Sequence, residues 1–173
     1  PQGQPGIPEA EEPYCTFVEN ARARARHAAQ HSGLPALADD SGLCVAALGG
    51  APGVYSARYA GEPKSDARNN EKLLAELAGQ SDRRAHFACV LVLVRSAEDP
   101  QPIIAEGEWH GTILDAQRGA DGFGYDPLFY VPTHCQTAAE LDAAIKNKLS
   151  HRGQAMQKLI ARGHAYEAEG HVL

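Results

Sequence analysis

The sequence predicts an α/β fold around a mixed β-sheet, and three observations carry that expectation. The run from His86 to Arg95 is β-branched and apolar on both faces, the signature of a strand flanked by neighbours. Two Ala- or Leu-bearing segments, after Thr16 and after Ser65, carry helical caps and helical spacing. The intervals between these segments include both hairpin-like and crossover lengths, which together imply a mixed sheet. At 173 residues the chain fits one domain spanning 1–173, long enough to bury a core.

The elements follow in order. Residues 1–13 are rich in Pro, Gly and Glu without an apolar period and read as loop. Thr16-Phe17-Val18-Glu19 has the form of a capping box, in which the Thr hydroxyl takes the Glu19 N–H and the carboxylate returns to the Thr N–H. The Ala/Arg-rich helix that follows should stop at Gly33 in a left-handed position. His27 and His31, four apart on it, lack a third ligand at matching spacing and read as packing or surface residues. Leu34–Ala38 is expected as a short buried strand ending in a polar loop, Asp39-Asp40-Ser41-Gly42, with a second short strand or extended segment at Leu43–Leu48. Gly49–Gly53 is a turn region, and Ser65 or Asp66 caps a helix carrying Leu73, Leu74 and Leu77 and ending at Gly79.

Ile103–Ile113 alternates loosely and should pair with the His86–Arg95 strand. The Gly-punctuated loop Asp121–Asp126 leads into a short strand at Leu128–Val131. Thr137-Ala138-Ala139-Glu140 is a second capping box, expected to open a helix reaching about Lys148. Ser150 can cap a last helix that sends Met156, Leu159 and Ile160 toward the core.

The bulk numbers narrow the function classes. A formal net charge of −6 argues against binding DNA or RNA, because nothing neutralises a long run of phosphates. A small anionic ligand remains open through a local cluster of donors. Four irregularly spaced cysteines without a CxxC pair suggest neither a zinc ribbon nor a dithiol site, and read as buried free thiols in a reducing compartment. The apolar run around Val90–Val94 is too short to span a bilayer, and no signal-peptide pattern opens the chain, so a cytoplasmic location is expected.

Three segments could carry chemistry. Adjacent carboxylates at Asp39-Asp40 alternate in direction, so one can face a ligand while the other anchors its surroundings. Such a carboxylate suits Mg²⁺, a hard ion that prefers oxygen ligands, although an Asp pair capping a turn is common. In Phe123-Gly124-Tyr125-Asp126, glycines around an aromatic allow close approach of a planar ligand, and a Phe face can stack on a base for about 1–3 kcal/mol. The plainer alternative is that Phe123 and Tyr125 plug the core. Lys146 with Ser150-His151-Arg152-Gly153 places basic side chains at a helix N-terminus, where they oppose the macrodipole; something negative or carbonyl-rich should sit there.

Taken together these segments resemble the inosine-triphosphate pyrophosphatase family, the RdgB-type noncanonical purine nucleoside-triphosphate pyrophosphatases. The matching stretches are Thr16–Ala21, Leu37–Leu43, Gly49–Arg58, Gly122–Pro127, Thr137–Leu141 and Ser150–Gly153, in the family's order and at compatible spacing. The resemblance implies a strongly twisted sheet in two lobes with a cleft between them. It implies hydrolysis of inosine, deoxyinosine and xanthosine triphosphates to monophosphate and pyrophosphate, with Mg²⁺ as cofactor and a homodimer as the common assembly. By the same resemblance Asp40 is the catalytic carboxylate and a metal ligand. A carboxylate of the acidic stretch Glu9, Glu11, Glu12 is the second metal ligand, Glu11 before Glu12, since alignment in a loop shifts easily by one position. Ser41 contacts the nucleotide, Phe123 stacks on the purine, and Gly124, Tyr125 and Asp126 complete that wall. Lys146 neutralises charge, while His151 and Arg152 read the base edge.

One departure stands against the resemblance. Family members begin with a strand ending in a Ser/Thr-Gly-Asn-x-x-Lys loop that cradles the triphosphate, and the chain as given opens downstream of such a segment. A purine-nucleotide-binding module with impaired catalysis is therefore the alternative expectation.

Overall fold

The computed structural model describes residues 14–168. Helix α1 (Phe17–Ser32) opens at Thr16, whose side-chain oxygen accepts the Glu19 N–H at 3.3 Å. The reciprocal half of the box differs from expectation. The Glu19 carboxylate accepts from the Thr16 hydroxyl at 2.6 Å, not from the Thr16 N–H. Gly33 ends the helix at φ +70°, its N–H bonded to the Ala29 carbonyl at 2.8 Å.

Strand β1 (Ala36–Val45) is a single ten-residue strand, which corrects the expectation of two short strands joined by a polar loop. Asp39, Asp40, Ser41 and Gly42 lie inside it. Along β1 the buried positions are Ala36, Ala38 and Asp40, then Gly42, Leu43 and Val45, so the buried set changes parity at Gly42-Leu43. Polar residues read as loop because their intrinsic strand preference is low, but pairing with a neighbouring strand overrides that preference. Short 3₁₀ turns at Ala46–Leu48 and Gly53–Arg58 follow, with Gly49 and Gly50 at positive φ between them.

Helix α2 (Asp66–Glu76) is capped by Ser65, whose side chain accepts the Arg68 N–H. Strands β2 (Arg84–Val94) and β3 (Ile103–Ile113) are neighbours, and β4 (Phe129–Val131) and β5 (Gln136–Thr137) extend the sheet in the order β1-β2-β3-β4-β5. The β3–β4 and β4–β5 pairings are antiparallel.

The second capping box forms in full but opens no helix. Thr137 Oγ1 accepts the Glu140 N–H at 3.2 Å, and Glu140 Oε1 accepts the Thr137 N–H at 2.9 Å. Thr137 is held in β5 opposite Tyr130, so the box closes one turn; helix α3 (Ala143–Leu149) starts only after Asp142. Helix α4 (His151–Ala168) follows Ser150. Its Ala155 and Leu159 are buried and Met156 packs beside them, whereas Ile160 is 52% exposed, contrary to expectation. Ala155 and Leu159 are four apart and share the inner face, which leaves Ile160 off it.

The described residues form two compact units. The first comprises 14–41, Cys89–Gly107 and 151–168; the second comprises Gly42–Ala88 and Glu108–Ser150. In the first, the alanine face of α1 (Ala21, Ala25, Ala28, Ala29) packs with Ala36, Ala38, Val90, Val92 and Val94. Small side chains let the helix approach the strands closely. A second cluster joins Cys89, Leu91 and Ala105 to Ala155 and Leu159. These two clusters use alternate residues of β2, so that stretch is covered on both faces, as its apolar pattern predicts. The core of the second unit gathers Leu43, Leu73, Leu77, Phe87, Trp109, Leu128 and Phe129. Phe87 and Trp109 lie 4.5 and 5.2 Å from Phe129 between ring centroids.

The cysteines are free, but only Cys89 is buried. Cys44 is half-buried, and Cys15 and Cys135 are exposed, which corrects the expectation of four buried thiols. Cys15 sits just ahead of the α1 cap and Cys135 in the β4–β5 turn, positions with no core to enter. No helix among the described residues is long and apolar enough to cross a membrane.

Candidate active site

Asp40 is fixed by the strand that carries it. As a β1 residue on the side of Ala36 and Ala38 it is 7% exposed. Its Oδ2 accepts from Asn20 Nδ2 at 3.2 Å, and its Oδ1 accepts the Ser41 N–H at 3.1 Å. Burial pushes its pKa above the usual carboxylate value, while the Asn20 hydrogen bond, the Arg24 charge and the Ser41 N–H pull against that rise. Asn20 is itself buried and fully engaged: Nδ2 also donates to the Tyr14 carbonyl at 3.0 Å, and Oδ1 accepts the Tyr14 N–H at 3.2 Å.

Asp39 points the other way, as strand alternation requires. Its Oδ2 accepts from Arg152 Nη1 at 3.1 Å, and its carbonyl accepts from Arg24 Nη1. The negative group expected near the basic start of α4 is thus Asp39. Cys89 lies in this neighbourhood, its pKa pushed up to about 12 by burial first and then by the Asp39 charge. Gly107 packs against the first turn of α4 so closely that a Cβ there would sit 2.1 Å from the His151 carbonyl oxygen and 2.8 Å from Ala155 N. His151 is half-buried, and Ser41 is exposed beside Asp40.

In the second unit the loop residues separate by role. Phe123 is 78% exposed, which rules it out as a core plug; Tyr125 does fill the core, 5% exposed, with its hydroxyl donating to the Ser56 carbonyl at 2.6 Å. Asp126 is buried, and its Oδ2 accepts the Phe123 N–H at 3.2 Å and Lys146 Nζ at 2.6 Å. The same ammonium lies 5.0 Å from the Phe123 ring centroid, a cation–π distance. Gly124 is gripped from α2: its N–H goes to Asp66 Oδ2 at 3.0 Å, and its carbonyl accepts from Asn70 Nδ2 at 2.9 Å.

Of the residues singled out from sequence, Asp40, Ser41, His151 and Arg152 belong to the first unit. Phe123, Gly124, Tyr125, Asp126 and Lys146 belong to the second. Glu9, Glu11 and Glu12 lie outside the described residues. Sequence reasoning missed Asn20, Arg24, Asp66 and Asn70. The one available signal was Asn69-Asn70 and Asn20 inside helices, where asparagine is a poor former and needs a reason to be present.

The Asp40 donor set suits a hard divalent cation. Both carboxylate oxygens are held in place with lone pairs to spare, and the negative charge that burial disfavours is the charge a cation would stabilise. Among the described residues no group of three His, Cys, Asp or Glu side chains is placed to hold a metal, so Asp40 would need a further ligand from elsewhere.

The first unit thus carries a rigid, buried carboxylate on a strand, and the second an exposed aromatic beneath an ammonium. The chain belongs to the Ham1 family, whose pattern it matches over residues 2–162. It is 72% identical over 162 residues to a dITP/XTP pyrophosphatase of Aromatoleum aromaticum, covering 94% of this chain and 82% of that one. It is 65% identical over 170 residues to a dITP/XTP pyrophosphatase of Ralstonia nicotianae, covering 96% and 85%. Among solved structures, a HAM1 protein from Coxiella burnetii superposes with a TM-score of 0.89 at 54% identity, covering 92% of this chain and 82% of that one.

Proposed function

We propose that this protein hydrolyses noncanonical purine nucleoside triphosphates, among them ITP, dITP and XTP, to the monophosphate and pyrophosphate, cleansing the nucleotide pool. The observation that carries the reading is the Phe123 platform: an exposed ring, fixed at its backbone, with the Lys146 ammonium 5.0 Å from its centroid. A purine is the ligand such a face suits. The identity to dITP/XTP pyrophosphatases over most of the chain supports the same substrate class.

Asp40 would orient the attacking water and accept its proton as the new bond to the α-phosphorus forms and the bond to the bridging oxygen breaks. Its immobility supports that role, since a base must be pre-positioned to contribute. Mg²⁺, held by Asp40 and by Glu11 or a neighbouring carboxylate, would supply charge stabilisation on the phosphates. Ser41 would contact the nucleotide beside Asp40. Lys146 would neutralise charge, and Gly124, Tyr125 and Asp126 would wall the base.

His151 and Arg152 would present donors to the 6-oxo group of hypoxanthine or xanthine. Adenine offers an amino donor there instead, and a buried donor left unpaired costs about 1–3 kcal/mol. Arg152 is available for this because its pairing with Asp39 is exposed, and such surface pairs are worth about 0–1 kcal/mol. One pyrophosphatase domain over the whole stretch, a homodimer and a cytoplasmic setting complete the proposal.

The test is pyrophosphate release by the full-length protein across a panel of ITP, dITP, XTP, ATP and GTP, with and without Mg²⁺. Release from the 6-oxo noncanonical nucleotides, dependent on Mg²⁺ and far above that from ATP, is expected. Equal rates on ATP would remove the specificity claim.

A further inference from the structure

The Phe123 ring has almost no packing of its own to hold it, being 78% exposed. It also sits between Gly122 at φ +82° and Gly124 at φ +60°, residues whose conformational freedom would leave an unsupported loop mobile. Its placement therefore depends on what grips the backbone. Four successive main-chain groups are gripped: the Phe123 N–H by the Asp126 carboxylate, the Phe123 carbonyl by the Asp126 N–H, the Gly124 N–H by Asp66, and the Gly124 carbonyl by Asn70. Asp126 belongs to the loop itself. Asp66 and Asn70 come from α2, more than fifty residues away in sequence and one helical turn apart from each other.

Asn70 shows that this grip is more than incidental. It is 3% exposed, inside a helix where asparagine is a poor choice, and its Nδ2 spends its hydrogens on the Asp66 and Gly124 carbonyls. Its Oδ1 is buried and finds no donor among the described residues. An orphaned buried acceptor costs stability, so the side chain is poorly explained as a helix or core residue and well explained by the carbonyl it holds.

We propose that Asp66 and Asn70 are positioning residues for base recognition, clamping Gly124 from both sides so that the Phe123 ring meets a purine at a fixed height and tilt. The proposal rests on the reading of Phe123 as the stacking face. The clamp acts through Phe123, so it should govern nucleotide affinity and leave the hydrolytic step alone.

The experiment measures ITP hydrolysis and calorimetric binding of inosine monophosphate for full-length Asn70→Ala, Asp66→Ala, Asp66→Asn, Phe123→Ala and the Asn70→Ala/Phe123→Ala pair. Losing one clamp bond should raise KM about tenfold and weaken monophosphate binding to match, with kcat little changed. Asp66→Asn keeps a side-chain acceptor for the Gly124 N–H and should restore the KM that Asp66→Ala loses. Asn70→Ala should add little once Phe123 is gone, because its effect passes through that ring. A lowered melting temperature with KM unchanged in Asn70→Ala and Asp66→Ala, alongside weakened binding in Phe123→Ala, would overturn the clamp and leave the stacking face standing. Unchanged binding in Phe123→Ala would overturn the stacking face and the clamp with it. Should Asn70→Ala fail to fold, the contrast between Asp66→Ala and Asp66→Asn decides the matter.

Discussion

Asp40 and Phe123 are held still by opposite means. Asp40 lies within a ten-residue strand, on the buried side with Ala36 and Ala38, and its position follows from the sheet. Phe123 lies in a glycine-flanked loop with its ring in solvent, and its position follows from side chains that reach its own backbone from Asp126 and that of Gly124 from Asp66 and Asn70. On the proposed reading the difference reflects two tasks. A general base gains from being dry and rigid, so the core can hold it; a stacking face must stay exposed, so the core cannot. Hydrogen bonds to the main chain then supply the order that packing would otherwise give.

Substituting each centre separates the two regimes most sharply. Asp40→Asn keeps the size of the side chain but removes the base, and pyrophosphate release should fall about 10²–10⁴-fold with nucleotide affinity much less affected. Burial raises the pKa of the metal-free Asp40 carboxylate, so as pH falls through that raised value protonation competes with the cation for it and activity is lost. Asp40→Asn should abolish that acid limb in a pH–rate profile, and a limb that persists unchanged would assign it elsewhere. Phe123→Ala should act on the other parameter, raising KM by the ~1–3 kcal/mol of one stacked base, about 5- to 150-fold. A loss confined to kcat would break the contrast.

Two glycine substitutions sharpen it with smaller effects. Gly107→Ala places a methyl 2.1 Å from the His151 carbonyl, and the shift it forces should cost about 1–3 kcal/mol in a denaturant titration while displacing the start of α4. Gly124→Ala meets nothing within 4 Å, so only its φ of +60° is strained, at about 1–2 kcal/mol. The first site is governed by packing and the second by backbone conformation. Equal costs accompanied by a clash at Gly124 would erase the distinction.

The parts legible in sequence were those decided by neighbours a few residues away. The Thr16 cap, the Gly33 stop, the Ser65 cap and the bounds of β3 follow from local hydrogen bonding and alternation, and the structure reproduces them. Where local and tertiary preferences disagreed, the local reading failed. Asp39–Gly42 reads as loop from its residue types, yet strand pairing keeps it extended. Thr137–Glu140 forms every bond of a capping box, but Thr137 is already committed to β5 and the turn cannot propagate.

The sequence by itself determined the inventory of candidate residues: a carboxylate pair, an aromatic between glycines, a lysine, and a basic start to the last helix. Those features lie in short segments, and it was the resemblance of their order and spacing to one family that associated them. Only the tertiary structure decided which member of each pair does what. It buried Asp40 and turned Asp39 to Arg152, exposed Phe123 and buried Tyr125, and brought Asp66 and Asn70 to Gly124 across more than fifty residues. The reason is physical: side-chain direction and burial depend on what packs against an element, and adjacent residues with similar chemistry carry no local signal of which one will face it.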